Sequence, residues 1–240
     1  MAKRPPRKII PLPEFDLADH SFGGDVTQEI DFLTELMNLE HHEAILDVAS
    51  GAGWHALELA QRGYEQVTAL DLSDQLLEIG RRTADEHGLT VEFAKGDPRK
   101  AGFEDDFDAA LILGGGAFGL MENDRENQEI LDSTFRSLRS GGRVAVSAMS
   151  LLWLLRNARD LSGYDPLSGY FTTMETVQVE GGITEEFPLH ERYYVYPLLS
   201  RQMETAGFGN IVGFGASPGR YSGRAISVED PEILLYGVKP

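Results

Sequence analysis

The sequence predicts an α/β protein in which helices cover both faces of a mostly parallel sheet. Short apolar runs that fit buried strands alternate with longer segments whose apolar residues recur at helical spacing. Glycines stand close behind three of these runs, at Gly51, Gly96 and Gly114. Alternation of strands and helices is typical of a parallel sheet, and ligands bind such sheets at the carboxyl ends of the strands. We therefore expect a ligand site where these glycines gather.

The first unit begins at the apolar run 44–48, which predicts a buried strand. Gly51 and Gly53 follow and leave room for a ligand to approach the backbone, before a helix over 54–62 presents its amide donors. The second apolar run ends in Asp71, and an acidic side chain there can accept hydrogen bonds from the two hydroxyls of a ribose. These segments predict one half of a nucleoside-binding unit.

The glycines alone do not decide which nucleotide binds, because Gly51-x-Gly53-x-x-Ala56 also fits a dinucleotide fingerprint. Asp47 weighs against a dinucleotide, since a carboxylate just before the loop would repel a pyrophosphate and attract a cation. S-adenosylmethionine carries a sulfonium and an ammonium and has no phosphate. With the run LDVASGAGWHALELAQRGYEQVTALDLS, the chain resembles the class I S-adenosylmethionine-dependent methyltransferases. It departs from their motif at Ala49 and Ser50, where a glycine and a cysteine are usual.

The resemblance spans about residues 15–240 and is strongest over 44–149. It implies a Rossmann-like, doubly wound sheet of seven strands, with an antiparallel last strand inserted between the fifth and the sixth, plus a small antiparallel insertion. It also implies S-adenosyl-L-methionine as the cofactor. The residues assigned to cofactor binding are Phe15, Asp47, Ala49, Ser50, Gly51, Gly53, Asp71, Leu72, Gly96, Asp97, Pro98, Leu113, Gly114, Gly115 and Phe118.

Two strand tips carry the more specific of these assignments. In the family an acid at the third strand tip bonds the adenine amine, and Asp97 fits by position; alternatively it forms an Asx turn before Pro98. The glycine run 114–116 ends the fourth predicted strand, 108–113, where the family holds the transferred methyl group. Phe118 would line that pocket. A flexible loop is the alternative for the three glycines.

The first 43 residues divide into two parts. Residues 1–13 are predicted to be a disordered basic tail, because they contain four prolines and four basic residues but no acid. A nucleic-acid-binding arm is the alternative. Residues 14–43 predict N-terminal lid helices, with Thr27 as a helix cap. The resemblance places Phe15 or Phe22 of this lid against the cofactor, and core packing is the alternative.

Capping residues define the starts and ends of the next helices. The predicted N-caps are Ser73 and, for the later helix, Asn123 or Asp124. The predicted ends are Gly88 and the run Ser140-Gly141-Gly142. The third and fifth strands are predicted over 91–94 and 143–148.

Residues 150–192 interrupt the alternation and predict an antiparallel insertion that partly covers the site. A helix over 151–160 is followed by two alternating runs, 170–179 and 183–192, around the turn Gly181-Gly182. Selectivity for the substrate resides in such insertions in the family that the chain resembles.

The last part of the chain returns to the sheet. A helix is predicted from Pro197 to Gly207, because proline favours the first helical turn and glycine the position after the last. Two final strands follow over 210–214 and 233–238. Since no linker divides the chain, residues 14–240 are predicted to form a single domain.

Composition narrows the function further. The 240 residues contain no cysteine, which excludes disulfides, thiolate metal sites and cysteine nucleophiles and fits a cytoplasmic protein. A net charge of −18 makes the chain repel nucleic acid and anionic membrane. No apolar run approaches the length of a membrane span, no secretory signal follows the basic start, and no metal motif is present. We expect a small-molecule acceptor, no bound metal, and a monomer or homodimer.

The chemistry implied by the cofactor asks little of the protein. A sulfonium methyl is already activated, so transfer needs mainly alignment of the acceptor in a dry pocket. A neutral amine acceptor needs little base help, whereas a hydroxyl or carbon acceptor needs a general base. The catalytic candidates are His190 and Tyr170, in the predicted cover of the site. His55 is interpreted as a cofactor-side or packing residue.

The predicted function is methyl transfer to a nitrogen, oxygen or carbon nucleophile of a small molecule. A first alternative keeps the fold and the cofactor but not the methyl transfer, as in a regulatory protein. A second alternative is nicotinamide-dependent oxidoreduction, which only the spacing of Gly51, Gly53 and Ala56 supports.

Overall fold

A computed structural model describes residues 26–113, 118–179 and 183–240 of the chain. Its central sheet has seven strands: β1 (Ala44–Val48), β2 (Gln66–Asp71), β3 (Glu92–Lys95), β4 (Phe107–Ile112), β5 (Leu138–Met149), β9 (Gly209–Ala216) and β10 (Glu232–Val238). Their order across the sheet is β3-β2-β1-β4-β5-β10-β9. β10 runs antiparallel to both of its neighbours, and the other pairings are parallel. The predicted fold class, including the position of the antiparallel last strand, is confirmed.

Helices flank the sheet on both faces. They are α1 (Val26–Met37), α2 (Trp54–Gln61), α3 (Asp74–His87), α4 (Asp124–Ser137), α5 (Leu151–Asn157) and α6 (Tyr196–Ala206). None of the helices in the described part of the chain combines the length and apolar character needed to span a membrane.

Most of the predicted caps are confirmed. The Ser73 side chain accepts a hydrogen bond from the Leu76 amide, and Gly88 ends α3 in the left-handed conformation. Asn123 caps α4 through the Glu126 amide. Thr27, in contrast, lies within α1 and not before it, so that prediction is wrong.

The run Ser140-Gly141-Gly142 was predicted to end a helix. That prediction is wrong, because these residues lie in a strand. α4 ends at Ser137, and β5 begins at once because Leu138 is buried in the core in an extended conformation. Leu138 pairs with Phe107, while the next paired residue, Arg143, lies opposite Ala109. The four residues between the two pairings therefore bulge out of the ladder.

The insertion forms a separate antiparallel sheet from β6 (Tyr164–Asp165), β7 (Tyr170–Val179) and β8 (Ile183–Arg192). The two predicted strands, β7 and β8, are confirmed, whereas the short β6 was not predicted. The predicted helix before it ends at Asn157 and not at residue 160, since Ala158 is extended. The Gly181-Gly182 turn lies outside the described residues.

Arg192 attaches this insertion to the rest of the molecule. Its guanidinium carbon lies 5.6 Å from the ring centre of Tyr170 and 5.4 Å from that of Tyr194. Its Nε donates to Asp124 Oδ1 at 2.8 Å, at the start of α4. The base of the insertion is thereby held close to the carboxyl edge of the sheet, where Met149 and Tyr194 are also hydrogen-bonded.

Each face of the sheet buries its own apolar cluster. Leu46 and Val48 of β1 face a cluster that includes α4 and α6, whereas Ile45 faces a second cluster with α1 and α2. This alternation places side chains two residues apart on the same face. Asp47 therefore projects on the same side as Ile45.

Candidate functional site

The loop after β1 alternates between ordinary and left-handed backbone. Ala49, Gly51 and Gly53 have φ angles of 56°, 60° and 76°. A Cβ added at Gly51 would meet only Leu76, at 3.9 Å, so this backbone faces open space. Gly53 begins α2 without a side-chain cap, which leaves amide donors at the helix start. The loop is thus shaped for a ligand to lie directly against the main chain.

Asp71 is held in place by two backbone amides. Its Oδ2 accepts from the Gly51 amide and its Oδ1 from the Ser73 amide, each at 2.8 Å. Each carboxylate oxygen retains a further lone pair. The arrangement fixes the carboxylate between the glycine loop and α3, where it can accept hydrogen bonds from a ligand hydroxyl.

A cavity of about 300 Å³ opens at these strand tips, and we call it the strand-tip cavity. It is lined by Ala49, Gly51, Asp71, Leu72, Leu76, Asp97, Pro98, Arg99 and Met121. Six of the residues predicted to bind the cofactor are therefore brought together. Leu72 is half exposed beside this cavity, which is an unusual position for a leucine unless something apolar covers it.

Asp97 forms the turn before Pro98 that was the alternative for it, and its contact with an adenine amine stays a prediction. It caps a 3-10 turn (Pro98–Lys100) by accepting from the Arg99 amide at 3.0 Å, and it lines the strand-tip cavity. The Arg99 guanidinium donates to Asp97 at 2.7 Å and to Glu126 at 3.0 Å. The hydrogen bonds from Arg99 hold the pKa of the Asp97 carboxyl below its usual range despite partial burial. Arg99 was not predicted as a site residue.

Asp47 is almost fully buried, at 2% exposure, in β1, two residues before Ala49 of the cavity lining. Burial raises the pKa of its carboxyl to about 6, and the charge of His55 and the Ala56 amide oppose that rise. Its Oδ2 has no hydrogen-bond partner among the residues that the structure describes. A buried carboxylate oxygen without a donor suits a cationic ligand group.

Four further polar side chains lie on the same face of the sheet as Asp47. We call the five residues the buried polar layer: Glu29, Asp47, His55, Tyr221 and Glu232. His55 Nε2 lies 2.7 Å from Glu29 Oε2, and the Gly219 amide donates to Glu29 Oε1 at 2.6 Å. The Tyr221 hydroxyl donates to Glu232 Oε2 at 3.3 Å.

Burial changes the titration of this layer. It raises the pKa of the Glu232 carboxyl to about 7, and the charge of Glu29 adds to the rise. Burial works against protonation of His55, yet the hydrogen bond and charge of Glu29, with the charge of Asp47, leave the His55 pKa raised. At neutral pH Glu232 is therefore only partly ionised.

Glu29 and Glu232 were missed from the sequence although each carries a signal. Glu29 stands at helical spacing with Leu33 and Met37 on the buried face of α1. Glu232 opens an apolar strand that runs antiparallel, so its first residue lies at the edge where the other strands end.

The two catalytic candidates lie together at the base of the insertion. The rings of His190 and Tyr170 stack with their centres 4.3 Å apart, and His190 Nδ1 lies 2.9 Å from Thr172 Oγ1. Tyr170 accepts a hydrogen bond from Asn127 at 3.0 Å. Burial raises the Tyr170 pKa to about 12, so its hydroxyl stays neutral near pH 7. A catalytic role for either residue stays a prediction.

The remaining predicted residues fall into three groups. Phe15, Gly114 and Gly115 lie outside the described residues. Leu113 and Phe118 are buried, and Phe118 stacks on Tyr194 with ring centres 5.4 Å apart. Close to the cavity are Ser50, Gly53 and Gly96, whose neighbours are backbone and side chains of β2 and β3. For these residues contact with a cofactor stays a prediction.

Residues 45–142 match a protein family described as a methyltransferase domain. The demethylmenaquinone methyltransferase of Clavibacter sepedonicus is 39% identical over 124 residues, which cover 50% of this chain and 47% of that protein. The chain spans about half the length of the curated relatives it matches.

Solved structures share the architecture over nearly the whole chain. The CcbJ methyltransferase from Streptomyces caelestis has a TM-score of 0.75 at 20% identity, covering 93% of this chain and 95% of that one. The glycopeptide N-methyltransferase MtfA in complex with S-adenosyl-L-homocysteine has a TM-score of 0.65 at 18% identity, covering 90% and 88%. The resemblance to the class I methyltransferases is confirmed, and these two likenesses concern the fold.

Proposed function

We propose that the protein binds S-adenosylmethionine and transfers its methyl group to a small-molecule acceptor. The observation that carries the proposal is the strand-tip cavity, where Asp71 and Asp97 face left-handed backbone at Gly51. Carboxylates and bare backbone at neighbouring strand tips suit a nucleoside that has hydroxyl and amine donors but no phosphate.

The residues present fit such a cofactor. Asp71, fixed by two amides, would accept hydrogen bonds from the ribose hydroxyls, and Asp97 from the adenine amine. Leu72 and Pro98 offer apolar surface to the base. The open Oδ2 of Asp47 would receive the ammonium group. The fit rests on a buried acceptor atom without a partner among the described residues and on the space in front of Gly51.

When bound, the cofactor supplies a methyl group that its sulfonium has already activated for displacement. The chain then has two tasks, to orient the acceptor and to exclude water. The insertion, whose base Arg192 attaches to α4, is suited to cover the site, and α1 lies beside the buried polar layer. We propose these two elements as the walls of the acceptor pocket.

The similar proteins support the chemical class of the acceptor less specifically than they support the cofactor. Two relatives are named for demethylmenaquinone, and others are named ubiquinone/menaquinone biosynthesis C-methyltransferases, while the structural neighbour MtfA is named an N-methyltransferase. Those names support a small-molecule acceptor for this chain and leave nitrogen, oxygen and carbon nucleophiles open.

Titration calorimetry with S-adenosylhomocysteine tests cofactor binding directly. Methyl transfer is tested by measuring the incorporation of radiolabelled methyl groups into a panel of small amines, phenols and quinols. We expect one binding site per chain and a rise in melting temperature. The absence of both heat and a thermal shift would contradict the proposal. Titration with reduced nicotinamide dinucleotide is the matched negative, for which we expect no increase in its fluorescence.

A further inference from the structure

Glu232 lies at the ligand-binding edge of the sheet although it begins its strand. It pairs with Met149, the last residue of β5, and with Ala216, the last residue of β9. Because β10 runs against its neighbours, its first residue lies where theirs end. Glu232 is also one of the most buried charged groups in the described residues, at 3% exposure.

The Glu232 side chain projects on the same face of the sheet as Asp47. Leu234, two residues further along β10, belongs to the same apolar cluster as Ile45, two residues before Asp47. β4 and β5 lie between β1 and β10, so the two acids are separated by three strand spacings, roughly 14 Å along the edge. One small cationic group cannot contact both of them.

The charges around Glu232 do not balance. Among the residues that the structure describes, the buried polar layer contains three carboxylates, those of Glu29, Asp47 and Glu232, and one imidazole. That imidazole, His55, is hydrogen-bonded to Glu29. The titratable groups that act on Glu232 are Glu29, Tyr221, Glu191 and His55. Buried negative charge in excess is unfavourable unless the carboxylates take up protons or a ligand brings positive charge.

The proposed cofactor carries an ammonium and a sulfonium, and its ammonium can pair with one of these acids only. Its ammonium fits the unpartnered Oδ2 of Asp47, beside the glycine loop. Glu232, on the far side of β4 and β5, has a hydrogen bond from the neutral hydroxyl of Tyr221 and stands in the repulsive field of Glu29. A second positive charge, from a second ligand, would balance it.

We propose that Glu232 binds the methyl acceptor as a protonated amine and removes its proton. The inference rests on the proposed function and narrows its acceptor to an amine. In the step, an N–H bond of the ammonium breaks, its electron pair stays on the nitrogen as the lone pair that attacks the methyl group, and the proton goes to a carboxylate oxygen of Glu232. Two opposite charges are neutralised together in a buried site, which favours the transfer.

The electrostatics of the site support this role. Burial and the charge of Glu29 raise the pKa of Glu232 to about 7. A carboxylate with that pKa takes a proton from an amine more readily than an ordinary glutamate does, and it is still largely ionised at pH 8. His190 and Tyr170 are not needed for this proton.

Calorimetric titration of benzylamine into the protein saturated with S-adenosylhomocysteine tests the proposal at pH 8. Glu232→Gln keeps the shape and the acceptor for Tyr221 but removes the charge. Glu229→Gln is the matched control, because Glu229 lies three residues away on the surface, paired with Arg156. We expect benzylamine to bind the wild type and the control alike and to bind Glu232→Gln at least ten-fold more weakly. Benzyl alcohol should not distinguish the three proteins.

A pH series on the wild type tests the same point without a substitution. Since protonated Glu232 carries no charge, the affinity for benzylamine should fall as the pH is lowered from 8 to 6. An equal affinity of wild type and Glu232→Gln, a flat pH series, no benzylamine binding, or benzyl alcohol binding as tightly as benzylamine would each overturn the proposal. Saturation with S-adenosylhomocysteine is measured first, so failure of that step contradicts the proposed function and not the assignment of Glu232.

Discussion

Asp71 and Glu232 are both carboxylates at the carboxyl edge of one sheet, but backbone amides hold the first and side chains surround the second. Asp71 accepts from the amides of Gly51 and Ser73, within 20 residues of itself in the chain. Glu232 accepts from the Tyr221 hydroxyl and is influenced by Glu29, which is far away in sequence. The strand-tip cavity is thus built by local backbone geometry. The buried polar layer is built by charged side chains that are distant in sequence and buried together.

The difference has an energetic consequence. Amide donors satisfy a carboxylate without burying a second charge, so the strand-tip cavity is ready for a neutral adenosyl group. In the buried polar layer, burial raises the pKa of Asp47 to about 6 and that of Glu232 to about 7, which means that their ionised forms are disfavoured. We infer that the layer weakens the free protein and gains from a positively charged ligand.

The largest expected effect comes from blocking the glycine loop after β1, which is the region built by backbone geometry. Gly51→Val places a branched side chain in front of the loop, and we expect S-adenosylhomocysteine binding to weaken by more than about 100-fold, from steric exclusion. Gly88→Val is the matched control, because Gly88 has a similar φ, 66° against 60°, and no atoms within 4 Å of an added Cβ. Both variants should lose similar stability in thermal melts. Normal calorimetric affinity of Gly51→Val would show that the loop does not face the cofactor.

A smaller loss of affinity is expected from removing the carboxylate that the loop holds. Asp71→Ala should weaken S-adenosylhomocysteine binding by about 1–3 kcal/mol, the usual loss for a charged hydrogen-bonding partner. Asp74→Ala, three residues later and exposed at the start of α3, serves as the control and should bind normally. If Asp71→Ala keeps full affinity in calorimetry, the ribose is not at the tip of β2.

In the buried polar layer, we expect replacement of Glu232 to change the stability of the protein even without a ligand. The pKa of Glu232 is raised from 4.5 to about 7, so the folded state holds a proton that the unfolded state releases above pH 4.5. Its contribution to stability is therefore lost as the pH rises from 4.5 to 7. Glu232→Gln should lack that loss and gain about 3 kcal/mol over the wild type by pH 8.

Denaturant unfolding at a series of pH values measures this gain. The control is Glu229→Gln, an exposed change that should stay within about 0.5 kcal/mol of the wild type at every pH. A parallel pH dependence of Glu232→Gln and wild type would mean that Glu232 titrates normally, and the contrast between the two regions would then disappear.

The same contrast explains what the sequence allowed us to predict. The strand, glycine loop, helix and acid of the first unit lie within 28 residues, and each has a local signal in glycine spacing or apolar periodicity. The position of the antiparallel last strand followed from the family resemblance, and the strands of this sheet were found within a few residues except where β5 begins. The bulge over 139–142 was missed because burial of Leu138 overrides the helix-ending preference of the glycines.

Single residues of the buried polar layer carry a local signal, but no local signal shows that they lie together. His55 was recognised as a residue of the glycine-loop helix, but its partner Glu29 comes from a helix 26 residues earlier in the chain. Tyr221 lies in the loop between β9 and β10, outside every predicted element. Glu232 was missed because only the antiparallel sense of β10 brings its start to the site. Contacts between side chains of distant segments depend on how the elements pack, which periodicity does not report.

The smallest expected effect distinguishes the hydrogen bond of Tyr221 from the charge around Glu232. The Tyr221 hydroxyl donates to the Glu232 carboxylate and so lowers its pKa, against the larger effect of burial. Tyr221→Phe should therefore raise the Glu232 pKa further, by less than about one unit, since one net hydrogen bond is worth about 1 kcal/mol. Carbon-13 NMR titration of the glutamate carboxyls measures the shift, with Tyr236→Phe, on the same strand, as the control. A lower pKa in Tyr221→Phe would mean that the hydroxyl does not donate to Glu232, and the layer would then rest on charge and burial alone.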